Sequence, residues 1–158
     1  FYSPGQLIVI DRDDNRLAVA EQFGATETIN NTKTDAVARV KALTGGAGAD
    51  AVIEAVGAPA TFELCQELIA PGGTIANVGV HGQKVDLHLE KLWSRNIAIT
   101  TRLVDTVTTR MLLKAVEMKK LDPTRLITHR FSLDHILDAY DTFGRAADTH
   151  ALKVVVTA

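Results

Sequence analysis

Residues 48–82 read GADAVIEAVGAPATFELCQELIAPGGTIANVGVHG. Ala49 to Ala55 (ADAVIEA) reads as a strand. Pro59 follows where a helix tolerates proline best, in its first turn. From there Phe62, Cys65, Leu68 and Ile69 recur on one helical face. Pro71-Gly72-Gly73 is expected to end the helix, and Thr74 to Gly79 reads as the next strand. A strand, a helix and a second strand within about thirty residues form a βαβ unit.

The alternation continues on both sides. Gln6 to Ile10 is a β-branched run closed by Asp11. A helix over about Asp13 to Phe23 carries Leu17, Ala18 and Ala20 inward, and Gly24 stops it. Thr26 to Ile29 is a short strand. A helix over Asp35 to Leu43 has Thr34 as its expected N-cap and Ala36, Val37, Val40 and Leu43 as its apolar stripe. Gly45-Gly46-Ala47-Gly48 precedes a strand, so it lacks the helix N-terminus of a phosphate loop and reads as a connecting turn. After a loop holding His81 and His88, Asn96 to Thr101 is a fifth strand.

The last third changes character. Thr106 to Lys120 is expected to be an amphipathic helix burying Met111, Leu112, Ala115 and Val116. Leu126 to Phe131 is extended. Ser132 is expected to cap a helix that carries Ile136, Leu137, Tyr140 and Phe143 and stops at Gly144. Leu152 to Val156 closes the chain as a strand. Strictly alternating elements imply an α/β fold, with a parallel sheet covered by helices and ligand-binding loops along one edge.

Composition narrows the function classes. The 158 residues carry 17 Lys and Arg against 19 Asp and Glu, a net charge of −2. There is no basic excess for phosphate neutralisation, so no nucleic-acid partner is expected. No apolar run reaches the length of a membrane helix, and no membrane partner is expected. The single Cys65 supports neither a disulfide framework nor a multi-Cys zinc site, and a reducing cytoplasm fits best. The five histidines lack metal-ligand spacing backed by Cys or a carboxylate cluster, so no metal ligand and no catalytic residue is assigned in this chain. The chain opens at Phe1 rather than Met and reads as a sequence entered in mid-fold.

Several positions suit a dinucleotide. Asp11 closes a strand, where a carboxylate accepts hydrogen bonds from ribose hydroxyls and repels a 2′-phosphate, favouring NAD. The competing reading is a helix-capping role beside Asp13 and Asp14. Arg16 is either a ribose or adenine contact or a solvated helix residue. Arg12 is a cation that would tolerate the extra phosphate of NADP. Val56-Gly57 and Val78-Gly79-Val80 follow successive strands, where glycine lets backbone approach a flat ligand; otherwise they are ordinary strand-to-loop glycines. No G-x-G-x-x-G is present.

Four strings together carry a resemblance: IVIDRDDNRLAVAEQFGAT (8–26), GADAVIEAVG (48–57), APGGTIANVGVHG (70–82) and LITHRFSLDHILDAY (126–140). In this order they resemble the C-terminal part of zinc-dependent alcohol dehydrogenases of the medium-chain dehydrogenase/reductase family. The resemblance implies a fragment of an NAD-dependent alcohol or polyol dehydrogenase, with zinc held outside this chain. It implies a partial Rossmann-like doubly wound parallel sheet lacking its first strand and Gly-rich turn, with Phe1 to Pro4 as the end of the first helix. A C-terminal α+β segment would follow. Residues 1–102 would form the partial cofactor domain, and residues 103–158 a segment packing on a catalytic domain absent from this sequence.

Asp11 would be the ribose acid and Arg16 a basic residue supporting it. Val56 and Gly57 would lie along the cofactor cleft. Val78, Gly79 and Val80 would line the nicotinamide side, with Thr101 and Arg102 near the carboxamide. Strand 96–101 would pair with its copy in a homo-oligomer. With the central first strand missing, the second and fourth strands of the order 3-2-1-4-5-6 are expected to fall into separate sheets. The chain alone is expected to be inactive and to bind NAD weakly. Two other readings stay open: a non-catalytic cofactor-binding or oligomerisation module, and a zinc-free quinone or enoyl reductase.

Overall fold

A computed structural model describes residues 3–103 and 107–158. The expected helix end at Phe1-Tyr2 and the helix start at Thr106 lie outside the described residues. The elements run β1 (Ile8–Asp11), α1 (Asp14–Gln22), β2 (Glu27–Asn30), α2 (Ala36–Leu43), β3 (Ala49–Glu54), α3 (Pro59–Leu68), β4 (Ile69–Asn77), α4 (Leu89–Leu92) and β5 (Ala98–Thr101). Then follow α5 (Thr109–Glu117), β6 (Ile127–Ser132), α6 (Ile136–Gly144), α7 (Ala146–Thr149) and β7 (Lys153–Thr157). The strands form three parallel sheets, β1-β2, β3-β4-β5 and β6-β7. The expected second and fourth strands, β1 and β3, belong to different sheets. The mixed α/β architecture with parallel pairing is the one expected.

The chain divides into two compact units, Phe1–Asn31 with Thr106–Ala158, and Thr32–Asp105. In the second unit, α3 packs on β3 and β4. Its face is the predicted one, with Phe62, Cys65 and Leu68 buried. Ile69 and Ile75 are fully buried below it. In the first unit, α1 packs on β1 and β2, and α6 on β6 and β7. Leu17, Ile29, Ala115, Ala139 and Ala151 are its buried apolar residues.

Several local expectations are corrected. Pro71-Gly72-Gly73 does not end α3. The helix stops at Leu68, and β4 runs straight through the three residues. The pairing of β3 with β4 shifts there, from Ala49 opposite Ile69 to Ala51 opposite Thr74. Gly72 takes φ +77°, and a Cβ on Gly73 would lie 2.8 Å from the Asp50 carbonyl. The triplet is therefore a bulge, where proline and glycine are tolerated inside a strand. Asp35, not Thr34, caps α2, its carboxylate accepting from the Ala38 N–H at 3.0 Å.

Ser132 makes no capping hydrogen bond. It ends β6, and a single 3₁₀ turn over Leu133–His135 leads into α6. Ala18 is exposed while Leu17 is buried, so the inward stripe of α1 is narrower than expected. Met111 and Leu112 are also exposed; Ala115 alone is buried on α5. Leu137, Tyr140 and Phe143 stand out from α6 in the same way. These faces are amphipathic in sequence, but periodicity states only that a face is apolar. No helix among the described residues is long and apolar enough to cross a membrane.

Candidate functional site

In the first unit, the parallel run Ile8–Asp11 delivers the Asp11 carboxylate to the C-terminal edge of its sheet, where open α/β sheets bind ligands. Its Oδ1 accepts the N–H groups of Arg12 at 2.7 Å and Asp13 at 3.0 Å. The cap of α1 is Asp13, which accepts from Asn15. Asp11 is therefore held by the turn without being consumed as a cap. Its Oδ2 takes no hydrogen bond among the described residues. One fixed and one available carboxylate oxygen suit the hydroxyls of a ribose. Arg16 is exposed on α1. Arg12 is exposed as well, and its carbonyl accepts from Asn30 Nδ2 at 3.1 Å.

In the second unit, the residues after β3 and β4 meet around one residue, Glu54, through its side chain and its backbone carbonyl. It ends β3 and is only 1% exposed. Its Oε1 accepts from the N–H of Val56 at 3.0 Å and of Gly57 at 2.9 Å, and from the Thr61 hydroxyl at 2.6 Å. Its backbone carbonyl accepts from Val78 and Gly79 across the sheet, at 2.9 and 3.1 Å. Gly57, at φ +84°, and Gly79 approach each other so closely that a Cβ on Gly57 would overlap the Val80 carbonyl. A Cβ on Gly79 would overlap the Glu54 carboxylate. Glycine is thus required here by backbone meeting backbone. The side chains of Val56, Val78 and Val80 are exposed beside this junction.

His81 completes the cluster. Its Nε2 lies 2.8 Å from Asn77 Oδ1 and 3.4 Å from Glu54 Oε2. Asn77 Nδ2 donates to the Gly79 carbonyl at 3.1 Å, which sets the amide's orientation. His81 Nε2 therefore faces two acceptors and carries the proton, while Nδ1 is buried without a partner. The His81 ring stands edge-on to Phe62, with centroids 5.9 Å apart. Burial pushes the Glu54 carboxyl upward, but the Thr61 hydroxyl, the Gly57 and Val56 N–H groups and His81 outweigh it and hold it below 4.5.

A family model described as zinc-binding dehydrogenase matches residues 5–119. The chain belongs to the zinc-binding dehydrogenase family. It is 36% identical over 154 residues to an alcohol dehydrogenase of Cupriavidus necator, covering 95% of this chain and 42% of that one. Its fold superposes with TM-score 0.95 on a solved zinc-dependent alcohol dehydrogenase 2 from Streptococcus pneumonia. That pair is 51% identical, covering 99% of this chain and 46% of the other. Two further neighbours were solved with cofactors. One, from Sinorhizobium meliloti, is bound to NADP (26% identity, TM-score 0.85, 99% of this chain and 46% of that one). The other, described as a short chain alcohol dehydrogenase from Escherichia coli, is complexed with NADH (25% identity, TM-score 0.87, 98% and 45%). The chain spans less than half the length of these relatives.

Within this zinc-binding dehydrogenase sheet, Thr101 ends β5 opposite Asn77, and the Arg102 N–H donates to the Asn77 carbonyl at 3.3 Å. Both therefore stand on the edge that carries Gly79 and His81. Asn77, His81, Glu54 and Thr61 were not singled out in the sequence. Glu54 lies in the strand ADAVIE beside a second carboxylate, Asp50, that is exposed, and the sequence does not say which of the two is buried. A carboxylate at the end of a strand, three residues before a glycine, is the signal that marks it. Among the described residues no three His, Cys, Asp or Glu side chains converge as a metal site requires, so these residues do not fit a zinc ion.

Unit two also holds a cavity of about 350 Å³, lined in part by Lys41, Glu63, Gln66, His88, Lys91 and Arg95. None of the predicted site residues lines it. Gln66 is buried there. It donates to the Asp86 carbonyl and accepts from the His88 N–H, fastening that loop to α3. Cys65 is buried on α3, and burial together with the Glu54 charge pushes its thiol up to about 11. A thiol so high holds little thiolate near neutrality and is a poor nucleophile. The folded chain is expected to resist iodoacetamide at pH 8, with rapid labelling only in urea, as read by mass spectrometry.

Proposed function

We propose that this chain supplies the nicotinamide-binding part of an NAD-dependent alcohol or polyol dehydrogenase. The observation that carries the reading is Asp11, with Oδ1 fixed by two backbone N–H groups and Oδ2 available. That carboxylate would accept the adenosine ribose hydroxyls and disfavour a 2′-phosphate. Arg16 would support the ribose. In the second unit, Val56, Gly57, Val78, Gly79, Val80, Thr101 and Arg102 would receive the nicotinamide end. When bound, the cofactor supplies the hydride acceptor; the zinc ligands would come from residues other than those described. The family and the relatives named alcohol dehydrogenases support the substrate class of small alcohols and polyols.

In calorimetric titration, Asp11→Ala is expected to weaken NAD at least about tenfold, a change of about 1.4 kcal/mol. The same variant should narrow the preference for NAD over NADP. Submicromolar NAD binding by the 158 residues alone, or an unchanged affinity in the variant, contradicts the reading. The chain alone, given NAD, zinc and a panel of alcohols, should show no saturable turnover. Saturable turnover would contradict the assignment of the metal to other residues.

We also propose a second copy of this chain as a partner. β5 pairs with β4 on one side only among the described residues, and Ala98, Thr100 and Thr101 are exposed. An unpaired parallel edge is a template for another strand. Sedimentation should find a dimer that Thr100→Pro converts to monomer; a monomer in both cases refutes this.

A further inference from the structure

Glu54 hydrogen-bonds to both loops at the candidate nicotinamide edge. Its side chain receives the Val56 and Gly57 N–H groups, and its backbone carbonyl receives those of Val78 and Gly79. Its second carboxylate oxygen faces His81 at 3.4 Å, and His81 is tied to Asn77, the last residue of β4. Thr61, in the first turn of α3, anchors the same carboxylate from below. The two loops are therefore one polar unit, closed around a buried charge with nearly every lone pair in use.

We infer that Glu54 is a positioning residue: with His81 and Asn77 it locks the 56–57 and 78–80 loops into one preformed surface. That surface would receive the nicotinamide end of the cofactor, so this step rests on the function proposed above. Two observations separate it from ordinary core packing. The carboxylate is buried without a Lys or Arg partner, which a merely structural position seldom tolerates. The flanking valines are left exposed rather than folded inward, as residues that meet a ligand are. The ionisable groups against the cluster are Glu54 and His81 themselves and Cys65 from α3.

The isosteric variant Glu54→Gln separates the two halves of the lock. Its amide oxygen keeps the Val56, Gly57 and Thr61 bonds, while its NH₂ opposes the N–H of His81. In the full 158-residue chain, amide hydrogen exchange should stay within about threefold at Val56 and Gly57. It should rise about tenfold or more at Val78 and Gly79, whose bonds to the Glu54 backbone carbonyl remain but open more often once the side-chain contact to His81 is lost. Glu54→Ala should raise both, and His81→Phe should repeat the Glu54→Gln pattern.

The ligand readout compares NADH with ADP-ribose, which lacks the nicotinamide. Glu54→Gln should weaken NADH about tenfold and leave ADP-ribose unchanged. Equal losses for both ligands, or unchanged exchange at Val78 and Gly79 in Glu54→Gln, would overturn the inference. If the unsubstituted chain binds neither ligand, the cofactor reading fails, and the exchange pattern alone then decides whether the lock exists.

Discussion

Replacing Gly57 by Ala is expected to cost about 3 kcal/mol of stability. Gly57 sits at φ +84°, where an L side chain is strained by about 1–3 kcal/mol. Its added Cβ would also meet the carbonyl carbon, oxygen and nitrogen of Val80. These are backbone atoms and cannot swing away. Relief would require the 78–80 loop to separate from the 56–57 loop. Gly82 supplies the control. Nothing lies within 4 Å of a Cβ there, so Gly82→Ala should stay within about 0.5 kcal/mol. Urea melts of the two variants measure the difference directly, and equal midpoints would show that the loops do not meet as described.

Acid should weaken the second unit through Glu54. Its carboxyl lies below 4.5 in the folded chain because Thr61, Gly57, Val56 and His81 favour the charged form more than burial disfavours it. A carboxyl lowered on folding contributes stability that is complete above the ordinary carboxylate range. That contribution is lost as the pH falls through the lowered native value. Unfolding of the unsubstituted chain should therefore become easier below about pH 4.5, whereas Glu54→Gln should lose this part of the acid dependence. Removing the acceptor entirely in Glu54→Ala leaves the part-buried Val56 and Gly57 N–H groups without their acceptor, while the Thr61 hydroxyl keeps the Ala58 carbonyl, at a cost of about 1–3 kcal/mol at neutral pH. Denaturant midpoints from pH 3 to pH 7 test both statements. Parallel pH curves for the unsubstituted chain and Glu54→Gln would sink the assignment.

The alternation of strands and helices was legible because parallel strands and amphipathic helices differ in period. Asp11 was legible for a simpler reason: it is a charge ending a β-branched run. The bulge at Pro71-Gly72-Gly73 was not, because proline and glycine mark a break in a helix and a bulge in a strand with the same letters. Whether a face is covered was equally hidden: Met111 and Tyr140 lie on apolar stripes and are exposed nonetheless. The lock around Glu54 escaped notice because its partners are spread from residue 54 to residue 81 and meet only when β3 and β4 align. At Gly57 and Gly79 the close approach that glycine permits is, in the fold, an approach to the backbone of the other loop.

The account stands or falls on where a nicotinamide cofactor touches this chain. Backbone amide chemical-shift mapping during NADH titration locates those contacts residue by residue. Shifts are expected at Asp11 to Arg16 in the first unit, and at Val56, Gly57, Val78 to His81, Thr101 and Arg102 in the second. ADP-ribose should reproduce the first set alone. Shifts confined to the cavity around Lys41, Lys91 and Arg95, or no saturable shifts at either candidate set, would contradict it.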